Sequence, residues 1–137
     1  KDAEGAIREM ALKMQQEGFV DQAEKLVAPA LRREAIVSTA LDYGLAFPHV
    51  RGIEGGGLTI ALGISRDGIR FADHTKNLTK IVFFTMIPTA ASAFYLKILS
   101  GLAQTFMNAD ARKALLAEKT DEGLWKTLIK VTRTTIK

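Results

Sequence analysis

His49 is the residue of this chain with the clearest capacity for chemistry, because it follows a proline that ends a short apolar segment. Proline cannot extend a β-ladder and biases the residue before it toward extended backbone, so we expect a strand that ends near Pro48 and presents the imidazole at a rigid strand end. A neutral imidazole is a good nucleophile toward phosphorus near physiological pH. A phosphoryl group on that ring adds about two negative charges, which need donors nearby.

Suitable donors lie shortly before this histidine. Arg33 carries a forked, permanently charged donor set that fits phosphoryl oxygens, and Ser38 and Thr39 carry hydroxyl groups. A more ordinary interpretation is also open, in which Arg33 pairs with a local acid such as Glu34 and the two hydroxyls satisfy loop backbone. His49 would then be a polar loop residue. The pattern predicts a phosphoryl site only if these side chains converge on the imidazole.

Other kinds of site find little support in the sequence. The chain has no cysteine and only one further histidine, His74, so a metal site is not expected, and we interpret His74 as a solvated connector residue. The Gly55–Gly57 run lacks the Lys-Ser/Thr ending of a phosphate-binding loop, so nucleotide binding is rejected. The formal charge of +4 is weak evidence for nucleic acid, because the basic residues are dispersed and not interleaved with aromatic residues.

Length and composition favour one compact domain. A chain of 137 residues with 47% apolar content can form a core that folds without disulfides, so we expect a single domain over residues 1–137. No apolar run is long enough to cross a bilayer, and no signal segment opens the chain. The cytoplasm is therefore the expected compartment, without membrane insertion.

Hydrophobic spacing and capping residues predict the elements that position the site. Helices are expected over Ala3–Glu17 with Asp2 as its cap, from Asp21 to near Glu34 with a kink or split at Pro29, over Thr89–Met107, from Asp110 to about Glu118, and from Thr120 toward a polar tail at Arg133–Lys137. Strands are expected over residues 45–47, 58–65, 69–71 and 80–86.

Two sequence features predict how the strands are arranged in the sheet. Asp67–Gly68 is a hairpin signal, so Ile69–Phe71 is expected to pair back on Leu58–Ser65 in antiparallel orientation. Lys80–Met86 is nearly all apolar, as expected for a central strand covered on both faces by helices. The fold prediction is therefore an α/β three-layer sandwich, with a mixed parallel and antiparallel sheet and helices on both faces.

Apolar side chains near and far from the histidine have different interpretations. Leu45 and Phe47 belong either to the core or to an exposed rim on which a partner docks, and the sequence does not separate the two. Trp125 and the phenylalanines lie at core spacing, so we expect them to be buried.

The residues around the histidine resemble a family signature. The chain carries Arg33 and Glu34, then Ser38 and Thr39, then the stretch Gly44–His49 with the sequence Gly-Leu-Ala-Phe-Pro-His. This order is similar to that of the fructose/mannitol-type enzyme IIA domain of the bacterial phosphotransferase system, including its nitrogen-regulatory branch. The order of the expected helices and strands is also similar, over nearly all of the chain.

The resemblance implies roles for particular residues. His49 would accept a phosphoryl group from the histidine phosphocarrier protein and give it to a IIB domain or keep it as a regulatory mark, with Arg33 beside it and Ser38 and Thr39 as donors on the nearby loop. No metal or other cofactor is implied. Family members usually carry a second active-site histidine where this chain has Tyr95. Because a phenol cannot be cationic, a Tyr95→His variant is expected to be phosphorylated faster.

Three uses of this chemistry stay open. In a transport relay the phosphoryl group moves on to a IIB domain, whereas in a regulatory module it stays and changes a charged surface that a transporter or regulator binds. In an interaction module catalysis has been lost and no donor phosphorylates the protein. The tyrosine at the position of the second histidine favours regulation.

Overall fold

A computed structural model describes residues 2–36, 39–41, 43–53, 58–71 and 78–132. Ser38, His74, Gly55–Gly57 and the tail Arg133–Lys137 lie outside these ranges. The chain divides into two compact units, Lys1–Ser92 and Ala93–Lys137. The prediction of one domain over residues 1–137 stays a prediction.

The first unit begins with two helices and continues into a sheet. Its described elements are α1 (Ala3–Gln16), α2 (Glu24–Ile36), β1 (Ala40–Leu41), β2 (Leu45–Ala46), β3 (His49–Ile53), β4 (Thr59–Ile69), β5 (Thr79–Pro88) and a 3₁₀ turn over Thr89–Ala91. Asp2 caps α1 as predicted, since its carboxylate accepts the Gly5 N–H at 2.8 Å. α2 is not split at Pro29, and it continues past the predicted end at Glu34 to Ile36.

Strand β5 is the centre of the sheet. β2 and β3 follow each other along one edge of β5 in parallel orientation, with Leu45 opposite Ile81 and His49 opposite Thr85. β4 pairs with the other edge in antiparallel orientation, and β1 pairs antiparallel with β2. The α/β class, the mixed sheet and the central position of this apolar strand are confirmed.

The predicted hairpin at Asp67–Gly68 is wrong. Ile69 pairs with Thr79 of β5 instead of turning back on Leu58–Ser65, so β4 continues as one strand. The register slips between Ile64 and that pair, and the glycine lies within the slip with a φ of +89°. A left-handed glycine therefore produces a bulge here and not a two-residue turn.

The core of the first unit lies between its two helices and one face of the sheet. The buried residues of this cluster come from α1, α2 and the strands, and include Ile7, Met10, Ala11, Met14, Leu26, Val27, Ala30, Ala46, Val50, Val82, Phe84 and Met86. Side chains alternate between faces along a strand. Leu45, Phe47 and His49 therefore point to the face opposite α1 and α2.

The second unit contains three helices in its described residues, namely α3 (Ser92–Phe106), α4 (Ala109–Leu116) and α5 (Asp121–Thr132). Asn108, and not the predicted Asp110, caps α4, because the Asn108 side-chain oxygen accepts the N–H groups of Asp110 and Ala111 at 2.8 and 3.1 Å. Thr120 caps α5 as predicted, by accepting the Gly123 N–H at 3.0 Å. Across the described ranges, none of the helices has the length and apolar character that crossing a bilayer requires.

The prediction that Trp125 and the phenylalanines are buried is wrong for Trp125, and also for Phe19 and Phe94, which are 59% and 55% exposed. Trp125 is 63% exposed and Ile129, one turn further along α5, is 43% exposed, whereas Leu124 and Leu128 are half-buried. At about 100° per residue, these four side chains cover a stripe about 140° wide. Helical spacing identifies such a stripe but does not determine which of its two sides is the more buried one.

Candidate functional site

The backbone around His49 is held by strand β5. Gly44, with a φ of +80°, directs its carbonyl oxygen toward two backbone N–H groups of β5. The Pro48 carbonyl oxygen accepts the Thr85 N–H at 3.1 Å. Proline thus interrupts the ladder between β2 and β3, and His49 opens the new strand instead of following the last one. The imidazole is therefore carried by the first residue of β3, and not by a residue that follows the last strand residue of β2 in a loop.

The imidazole of His49 is tied to the backbone two residues before it. Its Nδ1 atom lies 3.0 Å from the carbonyl oxygen of Phe47. A carbonyl oxygen only accepts hydrogen bonds, so we infer that Nδ1 carries the proton. In the neutral ring the lone pair is then at Nε2. Of the two ring nitrogens, Nε2 is therefore the one that can act as a nucleophile.

Burial is the main influence on the protonation of this ring. His49 is 6% exposed, and the loss of hydration lowers its pKa below the ordinary value. The hydrogen bond to the Phe47 carbonyl raises the pKa, the charges of Arg33 and Arg51 lower it, and the charge of Glu34 raises it. Because the net shift is downward, the imidazole is neutral at neutral pH.

Thr39 links the end of α2 to the segment before His49. Its N–H and its hydroxyl both donate to the Glu34 carboxylate, the N–H at 3.0 Å from Oε2. Its Oγ1 atom in turn accepts the Phe47 N–H at 3.2 Å. A continuous chain of hydrogen bonds therefore runs from Glu34 through Thr39 and the backbone of Phe47 to the imidazole.

The structure brings some of the predicted site residues into one unit. His49, Arg33 and Thr39 all belong to the first unit, and the half-buried Arg33 acts electrostatically on the imidazole. Ser38 falls outside the described ranges. Tyr95 is a buried residue of α3 in the second unit, and its part in the chemistry stays a prediction.

Arg51 is a residue of the candidate site that the sequence interpretation missed. It follows His49 by two positions in β3, so both side chains leave the sheet on the same face. Arg51 is exposed, and its charge lowers the pKa of His49 together with that of Arg33. Strand alternation after the histidine is the sequence signal that would have identified it.

Leu45 and Phe47 belong to the core and not to an exposed rim. Leu45 is 0% exposed and Phe47 5%, and the Phe47 ring stacks on Phe83 with centroids 5.6 Å apart. Among the described residues between Glu34 and His49, the large apolar side chains recorded as exposed are Ile36, at the end of α2, and Tyr43.

The chemistry that this arrangement supports is nucleophilic attack on an anionic group. Among the described residues, no three histidine or carboxylate side chains come together to hold a metal ion. The arrangement instead provides a neutral imidazole with its lone pair at Nε2 and the guanidinium charges of Arg33 and Arg51 acting on it. Guanidinium groups donate strong hydrogen bonds to phosphoryl oxygens.

Comparison with known proteins extends over nearly the whole chain. The family model "Phosphoenolpyruvate-dependent sugar phosphotransferase system, EIIA 2" matches residues 1–131. A fructose-specific EIIA component from Haloferax volcanii is 28% identical over 128 residues, which cover 93% of this chain and 83% of that protein. A fructose-specific EIIABC component from Bacillus subtilis is 27% identical over 124 residues, which cover 90% of this chain but only 20% of that longer protein.

Solved structures share the fold. The nitrogen regulatory protein IIA-Ntr from Neisseria meningitidis has a TM-score of 0.83 at 24% identity, covering 93% of this chain and 86% of that one. IIA mannitol from Escherichia coli has a TM-score of 0.71 at 18% identity, covering 91% and 87%. A complex of Escherichia coli IIA mannitol with phosphorylated IIB mannitol gives 0.69 at 16% identity, covering 96% and 87%. With the family model spanning both compact units and every candidate site residue, the chain belongs to the EIIA type 2 family of the phosphoenolpyruvate-dependent sugar phosphotransferase system, whose members are phosphotransfer proteins.

Proposed function

We propose that His49 accepts a phosphoryl group from the histidine phosphocarrier protein of this system, in the cytoplasm, and passes it to a IIB domain or keeps it as a regulatory mark. The observation that carries the proposal is the hydrogen bond from Nδ1 to the Phe47 carbonyl, because it leaves the Nε2 lone pair for attack. Arg33 and Arg51 are the proposed charge-stabilising residues. Thr39, the described member of the predicted Ser-Thr pair, donates its hydroxyl proton to Glu34 and accepts the Phe47 N–H, so we assign it no direct hydrogen bond to the phosphoryl group.

The proposed transfer exchanges one phosphorus–nitrogen bond for another. Nε2 of His49 attacks the phosphorus atom, and the electron pair of the breaking bond stays with the imidazole of the donor. Nδ1 keeps its proton, so the positive charge that develops on the His49 ring faces the Phe47 carbonyl oxygen. Such transfers need little covalent help, so position and electrostatic stabilisation supply the catalysis. The guanidinium groups of Arg33 and Arg51 would supply the latter.

The buried position of the imidazole sets a condition on this transfer. His49 is 6% exposed, and its Nε2 atom is itself buried. Neighbouring side chains must therefore move before a donor reaches Nε2. In return, the removal of water strengthens the interaction of a bound phosphoryl group with the half-buried Arg33, because charges interact more strongly at low dielectric.

The decisive experiment is phosphorylation with a complete donor system. The protein is incubated with phosphoenolpyruvate, enzyme I and the histidine phosphocarrier protein, and its intact mass is measured at neutral pH because phosphohistidine is labile to acid. We expect one phosphoryl adduct that His49→Gln abolishes and His74→Ala retains. No adduct on the wild-type protein with an active donor, or an adduct that persists in His49→Gln, would overturn the proposal.

A second candidate is an interaction module that is not phosphorylated, and the buried Nε2 atom is the observation that favours it. Adding a IIB domain after the donor reaction separates the three uses. Loss of the adduct to the IIB domain supports a relay in sugar transport. An adduct that stays and changes the affinity for a transporter or regulator supports regulation, and no adduct supports the interaction module.

A further inference from the structure

We propose, resting on the proposed role of His49 as phosphoryl acceptor, that Glu34 and Thr39 are positioning residues which set the tautomer and orientation of its imidazole through the backbone of Phe47. Neither side chain needs to touch the phosphoryl group in this role. The proposal follows from the direction of each hydrogen bond between α2 and the ring.

The direction is determined first at Thr39. Its hydroxyl has one proton, and the carboxylate oxygens of Glu34 only accept, so that proton points to Glu34. The Thr39 N–H donates to the same carboxylate. Both contacts hold the threonine against the last turns of α2, and the lone pairs of Oγ1 are left to accept the Phe47 N–H at 3.2 Å.

Phe47 transmits this constraint to the imidazole. Its N–H is held by Thr39, and its carbonyl oxygen lies 3.0 Å from Nδ1 of His49. Pro48 lies between Phe47 and His49 in the chain. Its φ is locked, and its carbonyl oxygen accepts a backbone N–H of β5. A shift of the Phe47 backbone therefore displaces the carbonyl oxygen that selects the Nδ1 proton.

Loss of this constraint has a specific consequence for the chemistry. If the carbonyl oxygen of Phe47 moves away, Nδ1 and Nε2 compete for the proton, and the nucleophilic lone pair is present on Nε2 for only part of the time. Misplacement by about 1 Å costs on the order of 100-fold in rate in enzymes. We expect removal of the Thr39 hydroxyl to slow phosphorylation of His49 by about 10-fold to 100-fold.

The threonine variants test the role of the hydroxyl. Thr39→Val removes the hydroxyl at nearly constant shape, and Thr39→Ser restores it. The tautomer is measured from the ¹⁵N chemical shifts of Nδ1 and Nε2 of His49, and the rate from the phosphoryl adduct formed over time. We expect Thr39→Val to mix the two tautomers and slow the reaction, and Thr39→Ser to recover both. Unchanged shifts in Thr39→Val, or no recovery in Thr39→Ser, would overturn the proposal.

The glutamate variants separate the hydrogen bond from the charge. Glu34→Gln keeps an oxygen acceptor for Thr39 but removes a negative charge that raises the pKa of His49. We expect this variant to keep the proton on Nδ1 while the His49 titration moves to lower pH. Glu34→Ala removes the acceptor as well and is expected to mix the tautomers. If Glu34→Ala keeps the wild-type tautomer, the carboxylate does not position the ring.

A matched control comes from the second unit. The Thr127 hydroxyl donates to the Glu118 carboxylate at 2.8 Å, so Thr127→Val breaks the same kind of pair. We expect no change in the ¹⁵N shifts of His49 or in the phosphorylation rate. A change as large as that of Thr39→Val would show a general loss of stability and contradict the positioning role.

The tautomer measurement keeps this proposal separate from the proposed function. If the wild-type protein shows the Nδ1 proton and Thr39→Val loses it, but no donor phosphorylates His49, then positioning stands and phosphoryl transfer fails. If Thr39→Val does not fold, the folded wild-type protein still tests the network. A proton on Nε2 of the wild-type imidazole would overturn the proposal without any variant.

Discussion

Replacement of Phe47 tests whether its ring holds the segment before His49 on the sheet. Phe47 is 5% exposed and Phe83 1%, and the two rings are stacked, with centroids 5.6 Å apart and an angle of 11° between their planes. Stacked aromatic pairs contribute about 0.5–1.5 kcal/mol beyond the area that they bury. Because Phe83 belongs to the central strand β5, this pair joins the site segment to the middle of the sheet.

The size of the effect follows from what each variant removes. Phe47→Leu keeps most of the buried apolar surface but loses the stacking, so the free energy of unfolding is expected to fall by about 1–2 kcal/mol. Phe47→Ala also leaves a cavity, and we expect a loss of about 3–5 kcal/mol. In a chain of this length each 1 kcal/mol corresponds to a fall in Tm of about 2–5 °C.

A double-mutant cycle of Phe47→Leu and Phe83→Leu, followed by urea unfolding, isolates the stacking energy. The coupling between the two substitutions is expected to be about 0.5–1.5 kcal/mol. Phe47→Leu combined with Phe84→Leu is the control, because Phe84 is equally buried but leaves β5 on the opposite face. These two changes should add to within about 0.5 kcal/mol. A Phe47–Phe83 coupling no larger than that of the control would refute the reasoning.

Three further predictions concern the site. Burial lowers the pKa of His49, so the imidazole of the unfolded chain takes up a proton first as the pH falls. The free energy of unfolding should therefore be highest above about pH 6.5 and decline below it. Urea unfolding across this range should show a smaller decline in His49→Gln. Arg33→Met and Arg51→Met should each raise the pKa of His49 in an NMR titration, and an unchanged midpoint would contradict their electrostatic role. Gly44→Ala should cost at least about 1–2 kcal/mol of unfolding free energy, because φ is +80° and its Cβ would lie 3.2 Å from a backbone oxygen, whereas Gly18→Ala, with φ of +85° and open space, should cost less.

Features that depend on a few neighbouring residues could be predicted from the sequence. The cap at Asp2 and the end of a strand just before Pro48 were predicted correctly, because capping and the missing proline N–H act over short distances. The backbone structure at Asp67–Gly68, a bulge instead of a hairpin turn, could not be predicted in this way. A left-handed glycine fits both a hairpin and a bulge, and the pairing of Ile69 with the distant Thr79 decides between them.

The candidate site likewise has residues that the local sequence predicts and contacts that only the fold determines. His49 and Arg33 were identified from their residue types and spacing, and Arg51 follows from strand alternation once β3 is known. The link between Glu34 and Thr39 could not be predicted, since Thr39 offers the same hydroxyl to a carboxylate, a backbone N–H or an anion. Only the folded chain shows that Oγ1 serves a carboxylate and a backbone group at once.

The charges around the imidazole act in opposite directions, and the proposed transfer needs both. Before attack the ring must be neutral, and burial together with the charges of Arg33 and Arg51 favours that state. After attack the ring carries a positive charge and the phosphoryl group about two negative charges. The Phe47 carbonyl and Glu34 favour the positive ring, while the two arginines favour the phosphoryl oxygens. If the site carried charge of only one sign, it would stabilise either the neutral imidazole or the phosphorylated imidazole, but not both. The other state would then be costly in free energy, and the return of the phosphoryl group to a partner would be slower.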